Sequence, residues 1–179
     1  MPRSPNAPHF ETSPATALDE QLPNSTPMTW NRDEIEAEFA EYRNRAARAA
    51  VTGDWRAWAD QFTDDARYVE HHFGELHGRE AIYEWIQSTM NAWPNSLMVE
   101  FPVDWYLIDE ARGWVVFQVQ NRMADPGDGS VWQDHNLTIL HYAGHGRWSY
   151  EEDVYNPARM GEMVMGYLDH VKALRSPTG

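Results

Sequence analysis

The sequence predicts an α+β domain in which a curved sheet wraps over helices, and three observations carry that prediction. Across residues 31–62 and 79–92 the apolar side chains recur at helical spacing. From residue 97 to 155 the character changes to long alternating stretches separated by turn signals. Asn156-Pro157 then supplies a cap and a proline at the first helical position, ahead of a last amphipathic stretch. With 179 residues the chain is long enough for one domain with a substantial core, expected over residues 28–175.

Residues 1–27 hold six of the eleven prolines and few large apolar groups. Such a segment buries too little surface to offset its ordering entropy, so it reads as a disordered tail or an arm that orders against a partner subunit. Asn31-Arg32-Asp33-Glu34 starts a helix, with an acceptor at the cap and Glu three residues later. Ile35, Phe39, Tyr42, Ala46 and Ala49 form its apolar stripe, and Gly53 closes it. Asp54 caps a short second helix carrying Trp55, Trp58 and Phe62, and a strand runs from Ala66 to His72. After a loop at Phe73 to His77, a third helix spans Arg79 to Ala92 with Ile82, Trp85, Ile86 and Met90 inward; Pro94 stops it. Strands follow at Leu97–Ile108, Gly113–Met123, Val131–Tyr142 and Arg147–Tyr155. The last helix turns Met160, Met163, Val164, Tyr167, Leu168 and Val171 inward.

Composition narrows the partners. A formal charge of −14 disfavours nucleic acid and anionic membrane surfaces. Cysteine is absent, which excludes disulfides, thiolate nucleophiles and cysteine-based metal sites. No apolar run is long enough for a spanning helix, and the N-terminal residues lack a basic start followed by an apolar core, so a cytoplasmic protein is expected.

The chemistry centres on Arg67-Tyr68-Val69-Glu70-His71-His72. Strand alternation puts Tyr68, Glu70 and His72 on one face, three proton-handling groups where a small domain looks inward. Glu70 is either a carboxylate made basic by a partly dry wall or the partner of Arg67, Arg79 or Arg122 in an ion pair. Only one of His71 and His72 can face a pocket, and alternation favours His72. A metal site from His71, His72 and His77 is rejected, because adjacent histidines diverge. On Val131–Tyr142, Trp132, Asp134, Asn136 and Thr138 share a face that is either solvent or pocket wall. Asn121 and Arg122, one strand earlier, offer an amide and a cation for a developing oxyanion. The acidic run Glu151-Glu152-Asp153 reads as a solvated edge.

The residues Gly53-Asp54-Trp55, Phe62-x-Asp64-Asp65-Ala66 and Gly78-Arg79-Glu80-Ala81-Ile82 resemble the opening half of the nuclear transport factor 2-like superfamily, in its SnoaL-like branch. The order of later elements agrees, so the resemblance spans about residues 30–172. It implies a cone-shaped barrel of mixed and antiparallel strands around three N-terminal helices, a homodimer, and a pocket for a small apolar oxygenated molecule. It does not fix a reaction, because relatives include ketosteroid isomerase, scytalone dehydratase, limonene epoxide hydrolase and binding modules. The resemblance marks Glu70 as the general base, with Tyr68, His72 and Asp134 as further catalytic candidates. Asn121, Arg122, Asn136, Trp132, Trp105 and Asn156 are the substrate-binding candidates, with no metal and no cofactor. Two departures stand out. Where the isomerase branch carries a helix-one tyrosine and a strand aspartate, this chain has Ala46 and Thr138; Asn156 stands where the epoxide hydrolase branch carries an aspartate. An acid–base enzyme and a non-catalytic binding or assembly domain are both compatible with the sequence, and the state of Glu70 discriminates them.

Overall fold

Helix α1 (Arg32–Thr52) buries the stripe Ile35, Phe39, Tyr42, Ala46 and Ala49, as its spacing requires. Asn31 accepts from the backbone N–H of Asp33 at its start, and Gly53 ends it with a left-handed φ of 72°. The computed structural model describes residues 30–176. The tail read from residues 1–27 lies outside them.

A single turn, α2 (Arg56–Ala59), leads into strand β1 (Phe62–Glu70). The stretch after β1 is not the plain loop expected from sequence: Gly74–His77 forms a short strand, β2, hairpinned back onto β1. Helix α3 (Arg79–Asn91) follows, then β3 (Met98–Glu100) and β4 (Val103–Asp109). These two short strands replace the one expected over Leu97–Ile108. Pro102 lacks an N–H for the ladder and interrupts the run, so both pieces pair separately with β5 (Trp114–Met123). Strands β6 (Gln133–Gly144) and β7 (Arg147–Val154) complete the sheet, and helix α4 (Pro157–Arg175) closes the described chain.

The sheet runs β2-β1-β7-β6-β5-β3, with β4 also on β5. All pairings are antiparallel except β1 with β7, which joins the N-terminal strand to the meander. Register shifts in the β1–β7, β3–β5, β4–β5 and β6–β7 pairings bend it, because each extra residue kinks its strand. The result is a curved, unclosed sheet, a cone with an open side. Helices α1 to α3 pack into its concavity through an aromatic core that includes Phe39, Trp58, Phe62, Phe117 and Trp148. Helix α4 lays Val164 and Tyr167 against a second, methionine-rich cluster with Met98 and Met123.

Candidate active site

Sheet register decides which side chains meet. Tyr68 lies beside Glu151 and Glu70 beside Asp153 across the parallel β1–β7 pair. Asp153 in turn faces Thr138 on β6, and Thr138 faces Phe117 on β5. The concave wall is thus acidic at β7 and β1 and becomes apolar toward β5.

Two cavities open on this wall. The inner one, of about 130 Å³, lies among aromatic residues that include Trp55, Trp58 and Phe117, with Glu151 on its wall. The outer one, of about 370 Å³, runs under α4 and is lined by Met98, Met160 and Met165 together with Glu70 and His72. Met90, Asn121, Asn136 and Asp153 belong to both linings, so the polar groups sit where the chambers adjoin.

Asp153 is held by neutral donors: the Tyr68 and Thr138 hydroxyls donate to it, and Asn136 Nδ2 donates at 2.7 Å. Asn121 Nδ2 donates to Asn136 Oδ1 at 2.7 Å and fixes that amide's orientation. Burial raises the Asp153 carboxyl above its ordinary value; the hydrogen bonds from Thr138 and Tyr68 work against the rise, and the nearby Glu70 charge adds to it. Glu151 is almost fully buried. Tyr42, on α1, donates to its Oε1 at 2.8 Å, while Oε2 has no hydrogen-bond partner among the described residues. Burial first, and then the neighbouring Asp153 charge, push Glu151 well above the usual carboxylate range. The same burial pushes the Tyr42 and Tyr68 hydroxyls up. Of these two adjacent carboxyls, neither next to a cation, Asp153 accepts three hydrogen bonds and Glu151 one, so Asp153 is the more readily ionised.

The sequence-predicted residues fall into two groups. Tyr68, Glu70, His72, Asn121 and Asn136 all line a chamber. Glu70 is in no ion pair among the described residues: Arg67 holds Glu75, Arg79 holds Asp64, and Arg122 holds Glu100. Its Oε2 instead accepts from the backbone N–H groups of His72 (2.8 Å) and Phe73 (2.6 Å), which ties down the turn after β1. His71 is turned away, to Glu152 at 2.9 Å.

The second group is placed elsewhere. Asp134 does share its face with Asn136 and Thr138, but its carboxylate accepts from Arg159 of α4 at 3.0 Å, and it lines neither chamber. Arg122 is engaged by Glu100 and Gln133, beyond the polar neck. Trp132 packs beneath α4 against Tyr167 and His170. Trp105 is exposed, with its indole N–H on Gln118. Asn156 is a helix cap: its side-chain oxygen accepts from the N–H groups of Ala158 and Arg159. The tyrosine that α1 does present is Tyr42, one turn before Ala46, and the buried carboxyls come from β7. Among the described residues no group of three or more His, Asp or Glu is placed to hold a metal ion. No helix of the described residues is long and apolar enough to cross a membrane.

The SnoaL-like domain family model matches residues 32–151, the span that carries β1, β6 and the start of the acidic run. The chain belongs to the SnoaL-like family. No curated protein matches it. Among solved structures, this SnoaL-like chain is similar to an LEH-like epoxide hydrolase from M. tuberculosis, at 14% identity and a TM-score of 0.58, covering 86% of this chain and 99% of that one. It is similar to an NTF2-like protein from Anabaena variabilis, at 15% identity and a TM-score of 0.55, covering 72% and 94%. It also resembles the epoxide hydrolase/cyclase-like enzyme SalBIII, at 15% identity and a TM-score of 0.54, covering 72% and 95%. At such identities the likeness establishes the fold alone.

Proposed function

We propose that this SnoaL-like protein is an acid–base enzyme that works with its own side chains on a small apolar molecule bearing a carbonyl, hydroxyl or epoxide oxygen. The observation that carries the reading is the Asp153–Glu151 pair: two carboxyls on one strand, facing a chamber, stabilised by hydroxyls and an amide instead of cations. A domain that only binds or assembles gains nothing from such a pair, because each buried carboxyl costs desolvation energy that no partner charge returns.

In this reading Asp153 is the base and Glu151 the acid. For isomerisation, Asp153 takes the proton beside a carbonyl, Glu151 hydrogen-bonds the oxygen as it gains charge, and Asp153 returns the proton to the far carbon of the shifted double bond. For dehydration, Asp153 takes the C–H proton, the neighbouring C–O bond breaks, and Glu151 protonates the hydroxyl as it leaves as water. For hydration of an epoxide, Asp153 takes a proton from water, the water oxygen bonds to ring carbon, the C–O bond breaks, and Glu151 protonates the departing oxygen. Tyr42 and Tyr68 orient the two carboxyls, and Asn121 and Asn136 position the substrate or water. Glu70, the base candidate from sequence, acts as a neighbour that holds the turn and raises Asp153.

The test compares wild type with Asp153→Asn against enones, terpene epoxides, steroids and polyketide-like aromatics, by thermal shift and then by mass spectrometry. A ligand should stabilise both proteins while kcat/KM drops by about 10²–10⁴ in the variant, the usual worth of a positioned general base. Ligands that bind and survive unchanged with both proteins would sink the enzyme reading in favour of a carrier.

A further inference from the structure

We infer that the inner chamber selects ligands that carry an anionic group, seated on Arg43 across the chamber from Glu151 and Asp153. The inference rests on the reading above that the chamber is a substrate site, and it specifies the substrate's class.

Arg43 lines the inner chamber, and the other charged residues of that lining, Glu151 and Asp153, are both acids. It follows Tyr42 on α1, and the helical rotation of about 100° per residue separates the two side chains. Tyr42 reaches Glu151 on β7, whereas the Arg43 guanidinium lies 4.9 Å from the Phe39 ring centre and 5.9 Å from that of Tyr106 on β4. Strands β7 and β4 are three spacings apart along the sheet, each about 4.8 Å, so the cation and the acids sit on different flanks of the same space.

The guanidinium also lacks the acidic partner that several other arginines hold. Arg56, Arg67 and Arg79 each hold a carboxylate. Arg43 forms no ion pair among the described residues, and its Nε is buried with no hydrogen-bond partner. The chain has 28 acidic side chains against 14 Lys and Arg, so a guanidinium left without an acid beside a cavity is unexpected from composition alone. The guanidinium lies over two ring faces, and its planar fork of donors matches a carboxylate better than it matches a neutral oxygen. The charge distribution also sets orientation: an anion turned toward Asp153 is repelled, so the ligand's charge goes to Arg43 and its reacting oxygen to Glu151.

The experiment titrates ring carboxylic acids and their primary amides, 3-phenylpropanoate with 3-phenylpropanamide and cyclohexanecarboxylate with its amide, into wild type, Arg43→Gln and Arg43→Lys. Trp55 and Trp58 line the chamber, so occupancy is read in tryptophan emission. The acids should bind wild type about tenfold or more tighter than the amides, a difference of about 1.4 kcal/mol. That ratio should fall to about one in Arg43→Gln and stay intermediate in Arg43→Lys, whose point charge cannot reproduce the fork. Arg43→Met, which keeps an apolar stem over Phe39 and Tyr106, replaces the glutamine variant if that fails to fold. Equal affinities for acid and amide, no binding of either acid, or an acid preference that survives Arg43→Gln overturns the inference. Turnover is a separate readout: acids that bind through Arg43 but react with neither protein keep the inference and remove the enzyme reading, while turnover of neutral compounds alone does the reverse.

Discussion

At the scale of single residues, the carboxyls that matter were hidden by one extra residue. In β7, Trp148 points into the core, so strict alternation sends Tyr150 and Glu152 inward and Glu151 outward. The ladder instead pairs Tyr142 with Trp148 and His141 with Tyr150, leaving Ser149 as a bulge that reverses the phase. Glu151 and Asp153 therefore turn to the chamber, and Glu152 goes out to His71 and Tyr150. Tyr68, Glu70, Asn121 and Asn136 were legible because β1, β5 and β6 keep their alternation there. The buried state of Glu151 has a measurable consequence. Its folded pKa is raised, so between the unfolded value near 4.5 and the folded value the native state binds more protons than the unfolded one. Stability is then greatest below that unfolded value and falls as pH rises toward the folded one. Glu151→Gln, neutral at every pH, should flatten this fall in a series of melting curves and gain stability relative to wild type above pH 7, while kcat drops for loss of the acid. An unchanged pH slope would mean that Glu151 is ionised in the folded protein. Glu70→Gln should act differently: with the charge beside Asp153 gone, the acidic limb of the kcat/KM profile moves to lower pH, since that charge helps to raise Asp153.

At the scale of elements, helices were more readable than strands. The stripe of α1 follows from its spacing alone, and the caps Asn31 and Asn156 behave as their types predict. The β2 hairpin was not legible, because it depends on which strand pairs with which, whereas the β3–β4 break did carry a signal in Pro102, which cannot donate to a ladder. Helix α4 shows why a residue can sit near a site and still be structural. It begins at Asn156, pins Asp134 through Arg159, and lies on Trp132 so closely that a Cβ on Gly166 would come within 2.8 Å of that indole. Asn156 should therefore respond as a cap and not as a catalyst. Asn156→Asp, which keeps the acceptor, should leave stability and kcat near wild type, whereas Asn156→Ala should lose about 1 kcal/mol in denaturant unfolding with kcat little changed. A large loss of kcat in both variants would return Asn156 to the reacting centre.

At the scale of the whole molecule, the curved sheet, the three helices in its concavity and α4 across its open side divide the interior into two spaces of different chemistry. The inner one is small, aromatic and acidic; a dry cavity of about 150 Å³ is known to hold a benzene ring, so a space of this order suits a single ring. The outer one is nearly three times larger and lined by thioethers, whose flexible chains adapt to varied aliphatic shapes. A substrate with its reacting atom at Asp153 and a ring in the inner space directs any remaining chain under α4. Gly161 offers a clean test, because it lines the outer chamber and a Cβ there meets nothing within 4 Å. Gly161→Leu should raise helix stability by up to about 1 kcal/mol, since glycine is a poor helix residue, while its side chain takes up outer-chamber volume. Ligands that end at the neck should bind the variant as they bind wild type, and those with aliphatic tails should bind more weakly as the tail lengthens. If long and short ligands lose affinity equally, the chambers are not separate subsites, and α4 shapes one continuous pocket.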